Sequence, residues 1–278
     1  VRYQYNVVQR DNDEWFIRLS LFNGDFEDEA RTRSISFGDD LPDFKYLYWD
    51  APDPEKDEAG DEIPRPEKLA VILPGLNSIR DGSMALAFAE LFHNAGYRVV
   101  TMDSMFNWRF FESTGAKFPG YAPEDAAHLQ RVLRRVFDDL REDGKIIAPR
   151  IVVAGWSMGA FHAAFLADLE ERTGNGLGVD RYLLCNPPID LGYGYRIAEA
   201  YLNNTRDWTA QETTERILNF AGAVMASTEG RTIPHYDPDK PETFTPPPTV
   251  DKEIAAFFIG TTFRSFIPEL ILTRHKRV

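Results

Sequence analysis

The chain has 278 residues, 43% hydrophobic and 27% charged, with a formal net charge of −13. That length can bury a large core as one elaborated domain or a domain with a cap, and the composition excludes a disordered or fibrous chain. The acidic balance argues against a nucleic-acid partner, which needs a basic patch, and against electrostatic docking on an anionic membrane.

The sequence opens at Val1 rather than methionine, with no signal peptide to read. A trimmed N-terminus of that kind is consistent with a periplasmic or secreted setting. "YQYNVVQ", "EWFIRLSLF" and "FKYLYWDA" are β-branched and aromatic runs separated by "NGD" and "GDDLPD", and predict strands of antiparallel type. Residues 52–67, "PDPEKDEAGDEIPRPE", are acidic and proline-rich, with too little apolar surface to pack.

From residue 68 strands and helices alternate. "KLAVIL" is a continuous apolar run, as in a strand buried on both faces. "GSMALAFAELFHNAGYR" predicts a helix with Met84, Phe88, Leu91 and Phe92 inward and Gly96 as its stop. "YRVVTMD" is the next strand. "APEDAAHLQRVLRRVFDDL" is an amphipathic helix opened by Pro123, with Leu129, Val132, Leu133, Val136 and Leu140 inward. "RIVVAG" is a strand, a small-residue helix follows Ser157, and "DRYLLCNP" reads as a further buried strand. This rhythm predicts a mostly parallel sheet with helices on both faces and ligands bound beyond the carboxyl ends of its strands.

After Asp190 the pattern is helical: "YRIAEAYLNN", "TAQETTERILNFAGAVMAS" and "DKEIAAFFIGTTFRSFIPELILTRHKR", the last two joined by a proline-rich loop. The expected organisation is therefore an α/β core over 1–190 and a helical cap over 191–278. The apolar stretch "IAAFFIGTTFRSFIPELIL" is interrupted by Arg264, Pro268 and Glu269, so no transmembrane segment is expected. One cysteine, Cys185, excludes an internal disulfide and reads as a buried small hydrophobe. The five histidines have no metal-ligand spacing, so neither a metal nor another cofactor is expected.

"GWSMG" at 155–159 is a G-x-S-x-G pentapeptide between a β-run and a helix, the context that makes Ser157 a candidate nucleophile. The turn is sharp, so positions two before and two after the serine must lack bulk, and Gly155 and Gly159 meet that need. A tetrahedral intermediate needs main-chain donors for its oxyanion. The N–H of Met158 is one candidate, and that of Leu76, after the strand in "AVILPGLNS", is the other.

With both loops placed, residues 68–190 resemble the α/β-hydrolase superfamily. "LPGLNSIRDGSMALAFAELFHNAGYRVVTMDSMFNW" and "GWSMGAFHAAF" look like a bacterial branch with a helical cap. The family often has His-Gly where this chain has Pro74-Gly75, a departure that removes a side chain and leaves the backbone donor. The resemblance implies the order serine, acid, histidine, with the last two on loops after the seventh and eighth strands. The strand count here reaches the sixth.

Each histidine is therefore a candidate base. His93 and His128 read as solvated helix residues, and His162, five residues past the serine, as a packing residue. His235, near Asp237 and Asp239, lies in the proline-rich loop, and His275 in the basic tail "TRHKRV". Asp190 is a candidate acid. The preferred expectation is that acid and base lie beyond residue 278, on a longer polypeptide or a second one, and that these 278 residues alone are nearly inactive. The expected function is hydrolysis of a small-molecule ester or related acyl bond, with Phe257, Phe258, Phe263 and Phe266 as candidates to line an acyl site. The alternative is a non-catalytic binding protein on a hydrolase scaffold.

Overall fold

Strand–helix alternation from residue 68 is realised in a computed structural model that describes residues 7–9, 15–17, 26–54, 59–61, 66–116, 119–174, 176–228 and 252–275. Two units are present, one of residues 21–189 and one of residues 190–278 with 2–20. In the second unit β1 (Val7–Gln9) and β2 (Trp15–Ile17) form a separate antiparallel ribbon.

The first unit holds a six-stranded sheet of β3 (Arg31–Ile35), β4 (Phe44–Trp49), β5 (Lys68–Leu73), β6 (Arg98–Met102), β7 (Arg150–Trp156) and β8 (Val179–Cys185). Its order is β3-β4-β6-β5-β7-β8, antiparallel over the first three and parallel from β6 to β8. The sequence reading of the opening strands needs correction. "YQYNVVQ" and "EWFIRLSLF" supply the separate ribbon, while the sheet begins with "RTRSI", a run too polar to read as a strand. An edge position explains it: Ile35 is buried, while Arg31, Thr32 and Ser34 face solvent. Arg33 crosses to the helix covering that face, 2.8 Å from Asp139 and 2.7 Å from Asp143.

The period-2 alternation of the inner strands divides their side chains between two cores. Leu69, Val71 and Leu73 join α3 (Ala122–Glu142) and α4 (Met158–Thr173), while Ala70 and Ile72 join α1 (Ser83–Asn94). All five inward residues expected on α3 are buried. On α1 the buried face is Ala85, Leu86, Ala87 and Ala89, with the expected Met84, Phe88, Leu91 and Phe92 only half-buried. Small alanines let the helix lie close on the sheet, and the larger side chains splay to its flanks. A short helix unread in the sequence, α2 (Trp108–Thr114), follows β6, capped by Asn107 and ended by Gly115 in the left-handed region.

Two further expectations on β8 fail. It is an edge strand, with Leu183 44% and Leu184 40% exposed, so "DRYLLCNP" is not buried on both faces. Cys185, at its end, is half-buried. The apolar composition of β8 matches an interior strand, yet among the described residues nothing pairs with its outer edge.

The second unit contains α5 (Leu191–Leu202), α6 (Ala210–Thr228) and α7 (Lys252–His275). Gly260 lets α7 cross α5 closely, since a β-carbon there would stand 2.3 Å from the Leu202 nitrogen. Among the described residues no helix is long and apolar enough to cross a membrane.

Candidate active site

The end of β7 turns into α4 through one residue, Ser157, at φ 51° and ψ −123°. A β-carbon makes positive φ costly, on the order of 1–3 kcal/mol, so the surroundings must enforce it. Two glycines permit the crossing. A β-carbon on Gly155 would lie 2.5 Å from the Gly159 carbonyl carbon, and one on Gly159 would lie 2.0 Å from the Leu73 oxygen. The Ser157 N–H donates to the Cys185 carbonyl at 2.9 Å, fastening the turn to β8. Ser157 itself is half-buried and reaches solvent.

The loop after β5 passes directly beside this turn. A β-carbon on Gly75 would stand 3.5 Å from the Ser157 β-carbon and 2.8 Å from Trp156 Nε1. Gly75 is thus needed for the close approach. The Gly75 carbonyl accepts from the Ser78 N–H at 3.2 Å, closing a turn whose third residue, Asn77, has φ 53°. That position demands glycine or asparagine. The Leu76 N–H belongs to the same trans peptide as the Gly75 carbonyl and points the opposite way. Among the described residues neither the Leu76 nor the Met158 amide has an acceptor within the protein.

A set of contacts from the segment after β6 holds this loop, and sequence reading missed it. Asp103, 3% exposed, accepts the Arg80 N–H at 2.9 Å and its guanidinium at 2.6 Å. Burial lifts the Asp103 carboxyl above its ordinary value, and the contacts with Arg80 pull it back. Thr101 donates to the Arg80 carbonyl at 2.7 Å, and the Ser104 N–H to the Ser78 carbonyl at 2.9 Å. The Asn107 amide donates to the carbonyl and side-chain oxygens of Asn77 at 3.2 and 3.1 Å. The sequence signal was present, because an asparagine before "WRFFESTG" is a helix-cap pattern.

The histidines are distributed differently from their sequence reading in two cases. His93 is half-buried against the Phe26 ring, centroids 5.3 Å apart, and burial lowers its pKa. His128 bonds Thr114 at 3.0 Å and meets Phe110 in an edge contact, so it is no solvated residue. Both sit on helices whose neighbouring chain, unpredictable from periodicity, folds over them. His162 is 3% exposed and stacks on Phe106 at 5.6 Å, one turn below the elbow. Its Nε2 has no hydrogen-bond partner and stands 3.8 Å from Asp125. Burial pushes its pKa down to about 4. A cavity of about 10 Å³ touches it, shared with Leu73, Pro74, Asp103, Ser104 and Gly159.

The Asp190 carboxylate accepts the Tyr193 N–H at 2.8 Å and caps α5, which accounts for its position without catalysis. His235, Asp237 and Asp239 lie outside the described residues, as do the side chains of Phe266 and His275. Phe257 and Phe258 are half-buried in edge contact at 5.8 Å, and Phe263 is 42% exposed. Among the described residues no group of three His, Cys, Asp or Glu side chains is arranged to hold a metal.

The chain is similar to solved esterases. An esterase of Pyrococcus furiosus shares 19% identity at TM-score 0.44, covering 68% of this chain and 58% of that one. A thermostable carboxyl esterase from Bacillus coagulans shares 18% at TM-score 0.37, covering 83% and 71%. A bacterial brefeldin A esterase, homologous to human hormone sensitive lipase, shares 18% at TM-score 0.39, covering 70% of this chain and 45% of its own. The chain thus spans about half the length of some of these proteins. No curated protein matches the sequence. Residues 70–272 match the model of the alpha/beta hydrolase family, and the chain belongs to that family.

Proposed function

We propose that the protein is a serine hydrolase that cleaves a carboxylic ester, or a related acyl bond, through an acyl-enzyme on Ser157. One observation carries this reading: a non-glycine residue at φ 51° between two glycines that admit no β-carbon. Such strain is kept where a hydroxyl must stand clear of the sheet, since an ordinary turn would place glycine or asparagine there.

In the proposed reaction the Ser157 oxygen attacks the carbonyl carbon while its proton passes to a general base. The carbonyl oxygen gains negative charge and is held by the Leu76 and Met158 amides. Collapse breaks the carbon–oxygen bond, and the alcohol leaves with the base's proton. Water then repeats the sequence on the acyl-enzyme and releases the acid and Ser157.

The base and its acid are assigned to chain beyond residue 278, following the family order serine, acid, histidine. Two features support that assignment. The described histidine nearest in sequence, His162, is enclosed by Phe106, Phe161 and Asp125. The outer edge of β8, unpaired among the described residues and beside exposed Leu183 and Leu184, is suited to further strands.

Hydrolysis of short-chain p-nitrophenyl esters by the full-length protein tests the reading. Ser157→Ala should lower turnover by about 10⁴–10⁶. Turnover that survives the substitution would reject Ser157 as the nucleophile, and no turnover by the unsubstituted protein would favour the non-catalytic scaffold.

A further inference from the structure

We propose that Asn107 is a positioning residue for the oxyanion loop, holding the turn that aims the Leu76 amide. The inference rests on the reading of Ser157 as nucleophile. Asn107 is 4% exposed and makes two kinds of bond at once. Its side-chain oxygen accepts the Arg109 N–H at 3.0 Å and caps α2. Its amide nitrogen donates to both oxygens of Asn77.

Capping alone does not require asparagine, because serine, threonine and aspartate supply an acceptor equally well. The second task requires a donor on the same short side chain, and asparagine meets both demands at this reach. The target of the donor is the strained member of the turn. Asn77 has φ 53°, and its bonds to Asn107 offset that cost. Asn77 sets where the Ser78 N–H points, and that N–H fixes the Gly75 carbonyl at 3.2 Å. The peptide so fixed carries the Leu76 N–H. Asn107 therefore acts on the oxyanion through three linked backbone groups and touches no substrate.

The test separates the cap from the grip. Asn107→Ser keeps an oxygen for the Arg109 amide and loses the amide nitrogen that reaches Asn77. In the full-length protein, Ser157 is titrated with an alkyl fluorophosphonate, and the maximal labelling rate and half-saturating concentration are measured separately. The proposal expects the maximal rate to fall about tenfold or more, toward the loss seen when an oxyanion donor is removed. Half-saturation should stay unchanged, the urea midpoint should fall only modestly, and amide exchange in residues 75–80 should speed up. Asn107→Asp, which also keeps the capping oxygen, serves if the serine variant does not fold. Wild-type labelling rates in the variants, or a change confined to half-saturation, would overturn the positioning role and leave Ser157 as nucleophile. No label on wild-type Ser157 would overturn both.

Discussion

Gly159 faces the carbonyl oxygen of Leu73 so closely that a β-carbon would stand 2.0 Å from it. The contact joins α4 to the end of β5, the strand that leads into the proposed oxyanion loop. Both atoms it presses together belong to backbone, so no side chain can yield. Gly159→Ala should cost about 3 kcal/mol or more, the upper range for overpacking. Urea unfolding measures that cost, and a variant within about 1 kcal/mol of wild type would contradict the packing described here.

The Arg80–Asp103 pair predicts a second effect. Asp103 is 3% exposed, and Arg80 satisfies it through both main chain and guanidinium. Arg80→Met would leave a buried carboxylate with the backbone bond alone, at a cost of about 3–5 kcal/mol. Asp103→Asn keeps an oxygen for the Arg80 N–H and should cost less. Because each partner is stranded without the other, the double variant should lose less than the sum of the two singles. Strict additivity in denaturant titrations would show that the pair is not coupled.

His162 gives the protein a pH-dependent term. Burial lowers its folded pKa to about 4, below the ordinary 6.5. A folded state that refuses a proton the unfolded chain accepts loses stability as pH falls. The contribution of His162 is thus fully present above pH 6.5 and declines between 6.5 and about 4. The slope approaches 1.4 kcal/mol per pH unit. His162→Leu should flatten the stability profile over this window relative to wild type, as read from urea midpoints at pH 7, 6 and 5. Parallel profiles for the two proteins would refute the assignment.

Much of this was legible in the sequence because the informative residues act locally. The β-run, Gly155, Ser157 and Gly159 encode their own turn, and five apolar positions at helical spacing encode the inner face of α3. Partnership across the chain was harder to read. Arg31–Ile35 is a strand because β4 accepts it as an edge, and its own residues carry little strand signal. β8 reads as interior from composition, whereas its exposure depends on what lies beside it. The grip of Asn107 on Asn77 spans thirty positions, and no periodicity links them. His128 likewise owes its burial to Thr114 and Phe110 on another helix.

Covalent trapping tests the central claim most directly. The full-length protein is treated with a fluorophosphonate, digested, and the adduct located by mass spectrometry. The account predicts a single adduct on Ser157 that disappears in Ser157→Ala. An unmodified Ser157, or an adduct on another serine that persists in that variant, would contradict it.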